Sequence, residues 1–71
     1  MRIPSGIKVI KILTKHYGWV FHRRESTHVT LKKESEANIL TVPTHSQLKI
    51  GTFLAILRKA KIEKEVFLKK L

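Results

Sequence analysis

The chain has 71 residues and sets fifteen Lys and Arg against five acids, a formal charge of +10 at pH 7. A chain this short has one core, burying about 60% of the surface its unfolded form exposes, which excludes a separate cofactor or substrate domain. No Cys is present, which excludes a disulfide framework and a thiolate zinc site, and no run reaches the roughly 18 apolar residues of a membrane span. The start, Met1-Arg2-Ile3-Pro4-Ser5-Gly6, lacks the apolar stretch of a signal peptide. We expect one soluble, cytoplasmic domain over residues 1–71.

Pro4 and Ser5 stand where a helix should begin, with Ser5 as N-cap. From Gly6 to His16, Ile7, Ile10, Leu13 and Tyr17 recur at helical spacing, and Lys8, Lys11 and Lys15 form the wet stripe. Gly18 ends the helix, because it accepts left-handed backbone angles. Trp19 to Arg24 reads as a strand with Trp19, Phe21 and Arg23 on one face and Val20, His22 and Arg24 on the other.

Glu25-Ser26-Thr27 is a turn, and His28 to Lys32 is a second strand. Its period of two turns Val29 and Leu31 to the core and His28, Thr30 and Lys32 outward. A third strand, Ile39 to Val42, is closed by Pro43, which cannot donate to a ladder. Thr44 to Leu48 is loop. A helix follows from Lys49 to Ala60, with Phe53, Leu54, Ile56, Leu57 and Ala60 at spacings of three and four. A last helical piece, Glu63 to Leu71, carries Val66, Phe67 and Leu71. The predicted fold class is α+β: a three-stranded antiparallel sheet with helices packed on one face.

The 42% hydrophobic fraction argues against disorder. The charge points to a polyanionic partner, with nucleic acid first, because phosphate neutralisation and counterion release supply affinity without sequence specificity. A basic protein that merely stays soluble, or docks an acidic protein, has the same composition.

The acids are Glu25, Glu34, Glu36, Glu63 and Glu65, and there is no Asp. Two-metal nucleases need clustered carboxylates, whereas Glu34 with Glu36 and Glu63 with Glu65 read as solvated charges. The four His, at 16, 22, 28 and 45, include no i, i+4 pair on one helix, so no metal site is expected. A glycine-rich phosphate loop is also absent, and no small-molecule cofactor is expected.

Metal-free catalysis on RNA remains chemically open. The 2′-hydroxyl attacks the adjacent phosphate once a base takes its proton, an acid protonates the leaving oxygen, and cations stabilise the phosphorane. Imidazole suits such proton transfer near neutrality, and Arg or Lys supplies the electrostatics. Arg23-Arg24-Glu25-Ser26-Thr27-His28 offers this set in six residues, with Lys32 on the same strand face as His28. The plain alternative is an inert strand histidine. His16 reads as a helix C-terminal dipole partner and His22 as a surface residue. His45 is a backbone-bonded loop residue or a second proton-transfer group.

Several segments share an order and spacing with a known family: Pro4-Ser5-Gly6, Gly18-Trp19, Arg23, Ser26-Thr27-His28 and Val42-Pro43-Thr44-His45. Leu48 to Phe53 and Ile56 to Ala60 continue the match. Over nearly its whole length the chain resembles the HicA (YcfA-like) toxins. The resemblance implies a fold like the double-stranded RNA-binding domain (dsRBD-like) and a ribosome-independent mRNA endonuclease (mRNA interferase). It maps the essential His onto His28, and it implies a HicB-type antitoxin that masks the active face. Thr27, Arg23, Arg24 and Lys32 then become the candidate RNA contacts. Ser26 and Thr27 replace the family's Gly-Ser, and Lys61 stands where a helix-ending Gly is usual. If that first glycine takes a positive φ, Ser26 should tighten the turn. The rival reading is a non-catalytic RNA-binding module on the same scaffold. Such modules typically carry a lysine cluster at the start of the last helix, where this chain has only Lys49.

Overall fold

The computed structural model describes residues 2–71. Helix α1 spans Gly6–His16, and the Ser5 side chain accepts a hydrogen bond from the Lys8 amide at 3.0 Å, which satisfies one of the otherwise unpaired N-terminal donors. The chain leaves the helix through Tyr17 and turns at Gly18, whose φ of 76° favours glycine. Strand β1, Val20–Glu25, pairs antiparallel with β2, His28–Lys32, and β2 pairs antiparallel with β3, Leu40–Pro43. The strand order is β1-β2-β3. Helix α2 spans Ile50–Ala60 and the short α3 spans Lys64–Leu68. This is the predicted α-β-β-β-α order, and α3 is the expected last helical piece, shorter than Glu63 to Leu71.

The register explains the layers. Val29 faces Val42 and Leu31 faces Leu40, so these four side chains share one face of the sheet. They pack with Val9, Ile12 and Leu13 of α1, Phe53, Ile56 and Leu57 of α2, and Phe67 of α3. The phase of α1 differs from the expected stripe. Val9 and Ile12 are buried with Leu13, whereas Ile7 is 43% exposed and Ile10 and Tyr17 sit at the edge of the core. With Ile7, Val9, Ile10, Ile12 and Leu13 all apolar, two overlapping stripes are available to the helix. Docking against the sheet selects between them.

Element ends also shift. Trp19 precedes β1 and is buried in the core, while β1 runs on to Glu25 and β3 starts at Leu40 and includes Pro43. Pro43 is tolerated because β3 is an edge strand. Thr30, expected to face out, is only 8% exposed because it lies at the centre of the middle strand, opposite Arg23 and Thr41. No helix among the described residues is long and apolar enough to cross a membrane.

Candidate active face

Alternation along β2 turns His28 and Lys32 to the sheet face that no helix covers, and both are exposed. His28 is the first residue of the strand. It stands between Glu25 on β1 and Pro43 on β3. Arg23 pairs with Thr30 and therefore shares this open face. The pairing reaches that phase through a bulge between Phe21 and Arg23, where His22 is the extra residue. Without the bulge, Arg23 would fall on the other side.

Arg23 Nη2 lies 3.1 Å from Glu25 Oε1, with both side chains mostly exposed. Such a surface pair contributes at most about 1 kcal/mol, so a phosphate competes readily for the guanidinium. Lys32 sits four residues along β2 from His28, about 13 Å away at the rise of a strand.

Arg24 departs from the group. It is opposite Val29, on the other side of the strand, and its Nε donates to the Ser26 carbonyl at 3.0 Å. That contact braces the turn between β1 and β2. Ser26 has φ 55°, the left-handed region, and Thr27 is not among the residues with positive φ. These are the φ signs of a type II′ hairpin turn, whose first central position favours glycine.

Backbone contacts then gather three distant segments at this end of the sheet. The Thr27 carbonyl accepts from the Thr44 amide at 2.7 Å and from Thr44 Oγ1 at 3.2 Å. The Gly6 amide donates to the His45 carbonyl at 3.0 Å, and the Leu48 amide donates to the Pro4 carbonyl at 3.1 Å. Gly6 is buried so closely on β3 that a Cβ there would overlap the Pro43 carbonyl. Pro4-Ser5-Gly6, Ser26-Thr27-His28 and Pro43-Thr44-His45 thus form one junction, with His28 and His45 exposed beside it. Neither imidazole makes a hydrogen bond among the described residues.

Glu25 and Thr44 are parts of this site that the linear reading passed over. The alternation of β1 could have flagged Glu25 as a partner for Arg23. Nothing local signals the Thr44 clamp, because its acceptor lies seventeen residues away. His22 stays at the bulge, and His16 lies on α1, away from the junction. Among the described residues, no three His or Glu side chains gather as a metal site would require. An open cleft of about 570 Å³ adjoins the junction, lined by Arg2, Pro4, Ser5, Ser46 and Gln47 among others.

A three-stranded sheet with helices on one side, and an exposed His and Arg on the other, defines a small basic α+β protein with one open sheet face. The family model described as the HicA toxin of bacterial toxin-antitoxin matches residues 6–62, and the chain belongs to that family of RNA-cleaving toxins. No curated protein matches the chain.

Proposed function

We propose that this chain is a metal-independent mRNA endoribonuclease that acts through His28 and is held inactive by a HicB-type antitoxin in the cytoplasm. The observation that carries the reading is the placement of His28: exposed on the helix-free sheet face, with Arg23 on the same face and three sequence segments converging beside it. His28 serves as general acid or base, and His45 is the candidate for the complementary role. The 2′-oxygen attacks phosphorus as its proton passes to the base. The bond to the 5′-oxygen breaks as the acid protonates it, leaving a 2′,3′-cyclic phosphate and a 5′-hydroxyl. Arg23 neutralises the phosphorane oxygens. Lys32 holds the next phosphate along, and Thr27 contacts the RNA at the turn that Arg24 braces.

The lack of Asp and the scatter of the five Glu support a mechanism without metal ions. A radius of gyration of 11.0 Å supports reading residues 1–71 as one toxin domain, since about 11 Å is expected of a folded unit this long. The antitoxin would act by covering the open face.

The test is cleavage of a defined mRNA in excess EDTA. Wild type should cut it, and His28→Ala should lose about 10²- to 10⁴-fold in rate while keeping the wild-type circular dichroism spectrum and melting temperature. Undiminished cleavage by the folded variant would sink the assignment. Binding without cleavage by the wild type would favour the non-catalytic RNA-binding module.

A further inference from the structure

A second basic surface lies on the other side of the molecule. Lys8, Lys11 and Lys15 form the outer stripe of α1, and the C-terminal turn after α3 brings Lys70 beside them. With Ile12 and His16 they line a groove of about 200 Å³. Lys70 is held there by its ammonium, 5.6 Å over the Tyr17 ring, and by Phe67, which buries α3 against the core. None of the five Glu lines this groove. The ion pairs among the described residues use Arg23, Lys61 and Lys64, so the four groove lysines are uncompensated.

Four like charges converging without an acid repel one another, and an extended polyanion with regularly spaced charges relieves all of them together. Lys8 and Lys15 are separated by about 10.5 Å along the helix axis, so a compact anion cannot engage both ends and a chain of phosphates can. The stripe also begins near the junction that adjoins the active face. Gly6, bonded to the His45 carbonyl, is two residues before Lys8, about 3 Å along the axis. A strand leaving the junction therefore meets Lys8 first, then Lys11 and Lys15.

We propose that the α1 groove is a backbone-binding rail for single-stranded RNA, distinct from the face that cleaves it. This rests on RNA being the substrate. The rail holds the flanking strand through phosphates alone, so it sets affinity for the transcript and takes no part in bond breaking.

The test compares wild type with the Lys8→Gln, Lys11→Gln, Lys15→Gln, Lys70→Gln variant. A control of equal charge change carries Lys49→Gln, Arg58→Gln, Lys59→Gln and Lys69→Gln. Binding of a labelled single-stranded 2′-O-methyl RNA, which lacks the attacking hydroxyl, is followed by anisotropy from about 50 to 200 mM salt. Each lost phosphate contact should lower the slope of log affinity against log salt by about 0.7, so the groove variant should lose about 2 to 3 and the control less than half of that. In cleavage of unmodified RNA, the groove variant should raise KM at least tenfold with kcat unchanged. Equal loss in both variants means diffuse charge and overturns the rail, as does wild-type binding by the groove variant, which would leave the stripe to a protein partner. If wild type neither binds nor cleaves RNA, the reading of RNA as substrate fails and the rail fails with it. If wild type cleaves while the groove variant is unaffected, the rail alone fails.

Discussion

At the scale of single residues, Ser26 and Lys61 stand out as the two non-glycine residues with positive φ among the described residues, at 55° and 61°. A left-handed conformation costs an L-residue about 1–2 kcal/mol, part of which glycine returns through its freer unfolded chain. Ser26→Gly and Lys61→Gly should therefore each stabilise the fold by about 0.5–1 kcal/mol. That is a rise in Tm of several degrees, about 4–8 °C per kcal/mol for a chain of this size. Thermal melts of the two single variants check it, and a lower Tm for either would contradict the strain. Lys61 closes α2 through its amide to the Arg58 carbonyl, with Ile62 reaching Leu57, so its strain serves only the helix end. Ser26 is different, because the same turn presents His28. Both positions were legible as departures from a glycine pattern. Their backbone angles were not, since φ follows from hairpin pairing and helix capping rather than from residue type.

At the scale of elements, β2 and α3 carry contrasting lessons. The period of two along His28–Lys32 was enough to separate Val29 and Leu31 from His28 and Lys32, because a strand has only two faces and one must be apolar. Thr30 obeys the same period yet is buried, because neighbouring strands crowd the centre of the open face. Helix α3 is too short to be stable by itself and exists because Phe67 inserts into the core. Its ring lies 5.5 Å from Phe53, edge to face, and 6.4 Å from Tyr17. Phe67→Ala should cost about 3–5 kcal/mol. A chain this long has only about 4–10 kcal/mol in total, so the variant should be largely unfolded or melt far below the wild type. Urea denaturation decides this, and a near-native midpoint would mean that α3 is dispensable.

At the scale of the whole molecule, the charge of +10 is unevenly neutralised. Glu25, Glu36 and Glu65 pair with Arg23, Lys61 and Lys64, leaving the α1 stripe and Lys70 bare. Self-repulsion at that density should make the free protein salt-stabilised. Raising salt from about 0.01 to 0.15 M shortens the screening length from about 30 to 8 Å, and Tm should rise across that range. A flat or falling Tm would show that the pairs already balance the field. The groove-lysine variant, freed of four uncompensated cations, should show a weaker salt response than the wild type.

The sequence by itself determined the element order, the inward faces of β2 and α2, and the likeness to HicA toxins. These depend on local periodicity and on the order of short motifs, both of which survive in one dimension. Only the tertiary structure decided which apolar stripe of α1 is buried, that Arg24 braces the turn while Arg23 shares the open face with His28, and that Thr30 on that face is buried. It also brought Gly6, Thr27 and Thr44 together at one junction and set Lys70 beside the α1 lysines. Each of those outcomes depends on a bulge, a register or a docking contact between segments far apart in the chain. Such contacts are settled by packing and main-chain hydrogen bonding, and no local pattern encodes them.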